Sequence, residues 1–222
     1  MSQQYADFRV IITDDCSTDG GGDQIESLIE RKNFGNVVTL IRNPERLGAM
    51  ANMYNMYRMC DDKEIIVHID GDDWLAHDKV FQKLNEVYQD QNIWLTYGQH
   101  QLYPDGGLGC SREIPKHVID KNSFRRFRWC SSHLRTFYAA LAKNICMIDC
   151  MINGEFYPMT SDLATMFPML EMAGHHQKFI PDILYIYNYS SDINDAKVNI
   201  KLQQNLERFI RSKPSYSKLE AL

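Results

Sequence analysis

The residues best suited to chemistry are the acidic run Asp70-Gly71-Asp72-Asp73, followed by Trp74. Carboxylates at alternate positions of a tight turn can point the same way. A hard cation such as Mg2+ or Mn2+ accepts one or two such oxygens together with phosphate oxygens. Held there, it would neutralise the negative charge that grows on a departing phosphate group. Acidic turns are also common on surfaces that bind nothing. What singles this one out is the apolar run before it, residues 64–69, which reads as a buried strand ending directly on Asp70. A second acidic stretch, Asp14-Asp15-Cys16-Ser17-Thr18-Asp19-Gly20, follows the apolar run 8–13 in the same way.

Each stretch taken alone invites a rival reading. Asp15, Ser17, Asp19, Gly20 and Glu26 fall at the first, third, fifth, sixth and twelfth places of a calcium-binding EF-hand loop. That motif needs a helix before the loop, whereas residues 8–13 read as a strand, and Gly22 stands where an apolar residue normally ties paired loops together. Aspartate-nucleophile phosphatases also carry Asp-x-Asp at a strand end. They follow the pair with a small hydroxyl residue, and here Asp73 and Trp74 follow instead.

The elements that must position these loops alternate along the chain. Strands are expected over 8–13, 37–41, 64–69 and 93–97, with helices over 23–32, 47–60 and 80–88 between them. This alternation predicts an α/β fold with a mainly parallel sheet flanked by helices, in which ligands bind outside the carboxyl ends of the strands. Both acidic loops lie at such ends and can converge on one crevice. Residues 104–115, rich in Gly and Pro, form a longer loop. The second half offers an amphipathic helix over 161–173, a strand over 178–187 and a terminal helix over 194–211. With 222 residues, no linker and no internal repeat, one domain spanning 1–222 is expected.

Composition narrows the partners. A net charge of −5, with a single short basic cluster at 121–128, offers no footprint for nucleic acid. No run is long and apolar enough for a transmembrane segment, and the polar start Met1-Ser2-Gln3-Gln4 is unlike a signal peptide, so a cytoplasmic protein is expected. The six cysteines are scattered without a Cys-x-x-Cys pair and read as free thiols rather than a zinc site or disulfide framework.

Together, and in this order, the two loops resemble those of the family-2, inverting, GT-A-fold glycosyltransferases. Asp14 to Gly20 matches the family's Asp-Asp-x-Ser-x-Asp-Gly loop, and Asp70 to Asp73 matches its Asp-x-Asp-Asp, the DxD motif. Gly48 and Asn52 fit a Gly and Asn of a helix that faces the diphosphate, although Ala51 replaces the usual Arg. The resemblance covers roughly residues 2–190, most closely the first hundred. It implies a metal-dependent transfer of a sugar, hexosyl in type, from a nucleoside-diphosphate sugar (a UDP-sugar favoured) to an acceptor hydroxyl on a glycan, a lipid-linked sugar or a protein. Residues 1–100 would form the nucleotide-sugar half, and 101–222 the acceptor half and C-terminal helix. By the same resemblance Asp15 or Asp14 would bind the base, Asp70 would lie near ribose or metal, and Asp72 would be the principal ligand of Mn2+ or Mg2+. Asp73 would be a third acid.

An inverting transfer also needs a general base on the face of the sugar opposite the leaving group. The resemblance points to Asp162 at the start of the 161–173 helix, with Glu155 second. An Asp in a first helical turn is equally ordinary capping chemistry. His133 and Arg135 lie in the segment that the family devotes to donor sugar and acceptor. A neutral His can ligate a metal and an Arg can clamp a phosphate, or the segment is an edge strand with exposed polar residues. His175 and His176 read as a helix C-terminus.

Family members normally open with a strand of the type Ile-Ile-Ile-Pro-x-Tyr-Asn and a helix ending near Gln-x-Tyr-x-Asp-Phe. Ser2-Gln3-Gln4-Tyr5-Ala6-Asp7-Phe8 matches that helix end. The resemblance therefore implies an N-terminally truncated pattern, without a central strand and part of the nucleotide pocket, and leaves a second expectation: a catalytically degenerate relative acting as a binding or interaction protein.

Overall fold

The structure is a computed structural model, and it describes residues 3–190 and 199–222. Its first half follows the expected alternation: β1 (Val10–Asp14), α1 (Gly21–Arg31), β2 (Val38–Arg42), α2 (Ala49–Arg58), β3 (Ile65–His68), β4 (Trp74–Leu75), α3 (Val80–Tyr88) and β5 (Leu95–Tyr103). Residues 116–120 form the short helix α4. β6 (Arg135–Tyr138) runs straight into α5 (Ala139–Lys143), and the hairpin β7 (Met151–Ile152) and β8 (Glu155–Phe156) follows. α6 (Ser161–Ala173), β9 (Gln177–Asn188) and α7 (Ile200–Ser212) complete the chain. The terminal helix expected from residue 194 begins at Ile200, and residues 194–198 of that expectation lie outside the described residues.

The strands form two principal sheets. β1 pairs with β2 in parallel, and a five-stranded sheet has the order β3-β6-β5-β9-β4. This larger sheet is mixed, not mainly parallel: only β5 and β9 pair in parallel, while β3–β6, β5–β6 and β4–β9 are antiparallel. The reason is the connection. β5 reaches β6 through a long loop and short turns rather than one crossover helix, so nothing obliges the return strand to run parallel. β6 is internal, between β3 and β5, which removes the edge-strand reading of the segment around His133 and Arg135.

Packing is densest in the second half. In α6 every residue from Leu163 to Ala173 is buried, so the helix is covered on all sides rather than along one amphipathic face. Glu171 in that helix is completely buried, and Arg125 meets it with two hydrogen bonds, Nε–Oε1 2.7 Å and Nη2–Oε2 2.9 Å. A third guanidinium nitrogen, Nη1, donates to the Ile210 carbonyl at 2.7 Å, so the pair ties α6 to α7. Within the basic cluster at 121–128, Arg125 is thus structural, while Lys121, Arg126 and Arg128 are exposed.

Candidate functional site

β3 delivers Asp70 just past its carboxyl end. His68 and Asp70 are two residues apart and share a face of the chain, which brings His68 Nε2 to 2.9 Å from Asp70 Oδ1. Arg135 of β6 donates from Nη2 to Asp70 Oδ2 at 3.3 Å. Burial opposes ionisation of Asp70, but the His68 hydrogen bond and the Arg135 charge hold its carboxyl well below the usual range. The chain then turns, with the Asp73 N–H donating to the Asp70 carbonyl at 3.1 Å. Asp73 accepts from the Asn188 N–H at 2.7 Å and from the Tyr185 hydroxyl at 2.7 Å. Burial pushes it up to about 6 against those two hydrogen bonds, and Asp70 and Asp72 add to the rise.

His133 closes the group. Its ring stacks on Tyr185 at 4.6 Å and meets His100 edge-on at 5.4 Å. Burial and then the Arg135 charge push it well below the usual imidazole range, which leaves the neutral ring that can ligate a metal. Asp70, Asp73 and His133 each offer a ligand atom, and all of these lie within 4.8 Å of one another. Metal–oxygen bonds of about 2.1 Å place neighbouring ligands about 3–4 Å apart, and His133 Nδ1 lies 3.8 Å from Asp70 Oδ2, so a slight closing of the three groups would let them hold one Mg2+ or Mn2+. Asp72, the principal ligand expected from the sequence, is a central residue of the turn. It is exposed and stands outside this group.

The first acidic loop divides its two aspartates between different tasks. Asp14 is buried and lines a cavity of about 1180 Å3 that also reaches Asn52, Asp70, Asp73 and Ser161. Its Oδ1 accepts the Ser17 N–H at 3.0 Å, and these hydrogen bonds, with Arg42 nearby, hold its pKa low. A Cβ at position 22 would fall onto Asp14 Oδ2, so glycine is required there. Asp15 instead fastens the loop ahead of α2. It accepts from Asn43 Nδ2 at 2.8 Å, Leu47 N at 2.9 Å and Gly48 N at 2.8 Å. Burial works against its charge, yet hydrogen bonds from Asn52, Leu47, Asn43 and Gly48 bring it down to about 2. Asn52 is buried and also takes a bond from Asn43 Nδ2 at 2.8 Å. Gly48 caps α2 at φ 87°, which suits glycine.

Asp162 lies in the first turn of α6. Its negative charge favours the protonated forms of the Arg135 guanidinium and the Cys110 thiol. For Arg135, burial alone would lower the pKa, but Asp70 and then Asp162 raise it. Arg135 is buried and feels both acids, touching Asp70, with its Nε lacking a hydrogen-bond partner among the described residues. Glu155 is exposed on the β7–β8 hairpin. His68, His100 and Tyr185 are site residues that the sequence reading did not single out. The signal was alternation: His68-x-Asp70 and His133-x-Arg135 each put two side chains of the site on one face, and Tyr185-x-Tyr187 puts two rings against His133.

The sequence model for glycosyl transferase family 2 matches residues 1–144. No curated protein matches the chain. Among solved structures, S. aureus TarS residues 1–349 in complex with UDP-GlcNAc is similar with a TM-score of 0.66 at 15% identity, covering 94% of this chain and 58% of that one. A mannosyltransferase from Pyrobaculum calidifontis, PcManGT, in complex with GDP-Man and Mn2+, is similar with a TM-score of 0.61 at 16% identity, covering 97% and 59%. Likeness at this identity establishes the GT-A-like α/β fold. The chain spans less than two thirds of the length of either. Among the described residues, no helix is long and apolar enough to cross a membrane.

Proposed function

Because the chain belongs to glycosyl transferase family 2, we propose that it transfers a sugar, hexosyl in type, from a nucleoside-diphosphate sugar to an acceptor hydroxyl with inversion. The observation that carries this reading is the meeting of Asp70, Asp73 and His133 within 4.8 Å, on the same cavity as Asp14. Residues 1–100 supply the nucleotide-sugar half, through Asp14, Asp70 and the Asp15–Asn52 brace behind them. Residues 101–222 supply the acceptor half. A divalent cation, Mn2+ or Mg2+, when bound by Asp70, Asp73 and His133, with Asp72 within reach at the turn, supplies charge neutralisation for the leaving diphosphate. Arg135, always protonated and buried, holds Asp70 in place and offers a donor to a phosphate oxygen. Asp162 takes the proton of the acceptor hydroxyl. UDP-sugars are the favoured donors, since the solved structures similar to this chain include one with UDP-GlcNAc, alongside one with GDP-Man. The acceptor is a glycan, a lipid-linked sugar or a protein.

Calorimetry with UDP-glucose, UDP-GlcNAc and GDP-mannose, with and without Mn2+, tests the reading. Metal-dependent donor binding that disappears in Asp73→Asn is expected, with a smaller loss in Asp72→Ala. Donor binding indifferent to metal in every case would overturn it. A second reading, a binding protein that no longer turns over, is favoured by the open cavity between β1 and β3. Donor hydrolysis or transfer that vanishes in Asp162→Asn decides against that second reading.

A further inference from the structure

The two carboxylate oxygens of Asp70 are held by different neighbours. Oδ1 meets His68 Nε2 at 2.9 Å, whereas Oδ2 meets Arg135 Nη2 at 3.3 Å and lies 3.8 Å from His133 Nδ1. Oδ2 is therefore the oxygen turned towards His133, the third member of the proposed cation site. A carboxylate pivots broadly about its last side-chain bond, so a contact that fixes Oδ1 also fixes the direction in which Oδ2 points.

His68 is itself held from behind. Its other ring nitrogen, Nδ1, stands 3.3 Å from the hydroxyl of Tyr57, and the two rings meet edge-on with centroids 6.2 Å apart. The chemistry of the end groups sets the direction of both bonds. Asp70 is held ionised and can only accept, so Nε2 carries the proton of that bond. In a neutral ring Nδ1 is then an acceptor, and the Tyr57 hydroxyl, kept protonated by burial, donates to it. Tyr57 is 3% exposed and packs edge-on against Phe137 with centroids 5.2 Å apart, which wedges the donor in place. Tyr57 belongs to α2, whose N-terminal end is tied to the first acidic loop: the Gly48 N–H donates to Asp15, and Asn52 shares the Asn43 amide with Asp15. One helix thus reaches both acidic loops, Asp15 at its start and Asp70 through Tyr57 and His68.

We propose that His68, backed by Tyr57, is a positioning residue of the cation site: it pins Asp70 Oδ1 and so keeps Oδ2 turned towards His133. This rests on the reading of Asp70, Asp73 and His133 as the residues that hold the cation, and it gives His68 no contact with cation or sugar donor. Partners that hold a ligating side chain from behind orient it, and their loss typically weakens metal binding by about 10–100-fold. An apolar residue would serve the strand at position 68 as well as histidine does. The hydrogen-bonded chain from Tyr57 to Asp70 is what uses both ring nitrogens.

Two measurements test this, one on the metal-free chain and one with Mn2+ alone. Nitrogen-15 NMR of the imidazoles at about pH 8 should show His68 as the Nε2–H tautomer, with Nδ1 moving towards the position of a nitrogen without a hydrogen bond in Tyr57→Phe. Mn2+ titration, followed by loss of the free-ion EPR signal, should show affinity about tenfold weaker in His68→Phe and weakened less in Tyr57→Phe. His68→Gln should recover most of the loss, because its side-chain amide can donate to Oδ1 from the place of Nε2. A role in packing alone would favour Phe over Gln and reverse that order. Should His68→Phe fail to fold, Tyr57→Phe, which loses only a hydroxyl, carries the comparison. An Nδ1–H tautomer, or Mn2+ affinity unchanged in both His68→Phe and Tyr57→Phe, would overturn the proposal alone. A wild-type chain that binds no Mn2+ would overturn the cation site and the proposal with it, so the two failures are distinct.

Discussion

β1 and β5 read alike in sequence, as apolar strands feeding an α/β sheet, yet the molecule treats them differently. In β1, Val10 to Thr13 are all only part-buried, whereas in β5 the six residues from Leu95 to His100 are all buried. β5 has β6 on one side and β9 on the other, and β1 has β2 alone. The difference lies in neighbours. Hydrophobic pattern specifies a strand, while the energy that strand contributes depends on what the rest of the chain places beside it.

The comparison can be broken most forcefully in the dense half. Glu171→Ala leaves the Arg125 guanidinium buried and unpaired, and should cost about 3–5 kcal/mol in urea unfolding. Next comes a matched pair. Leu95→Ala in β5 should cost about 2–5 kcal/mol, and Ile12→Ala in β1 about 1 kcal/mol or less. Equal costs would show that β1 is as well packed as β5, and would sink the contrast.

Asp15 gives a pH test of the lighter half. Its folded pKa, about 2, lies below the ordinary carboxylate value, so its contribution is present above about pH 4 and lost as pH falls towards 2. Asp15→Asn should remove about 1 kcal/mol at neutral pH, after allowance for solvent screening, and flatten the stability profile between pH 4 and 2. An unchanged acid profile would show that the brace does not hold the loop. The smallest effect is expected from Arg9→Ala, which removes an exposed ion pair worth about 0.2–1 kcal/mol in global unfolding. Exchange at Ile12, next to the open edge, should nonetheless quicken more than exchange at Leu95.

Much of this was legible locally. The helix over 161–173 and the two strand-end aspartates Asp14 and Asp70 follow from periodicity and from the position of acidic residues after apolar runs, and the cavity reaches both acids. The partnership of Asp73 with His133 was not legible, because it depends on β6 entering the sheet beside β3 after a stretch of loops and short turns that carries no periodic signal. The separate duties of Asp14 and Asp15 were hidden for a related reason. Neighbours in a chain point to opposite sides of a strand end, and only the position of the Asn43 to Gly48 segment shows which side faces the cavity.

Arg135 is one positive charge shared by two acids that come from different halves of the chain. Under the proposed function, a cation bound at Asp70 would loosen the hold of that acid on the guanidinium and leave Asp162 the stronger pull. Donor and acceptor binding would then be linked through a single side chain, and thermodynamic reciprocity would require each to alter the affinity for the other by the same factor.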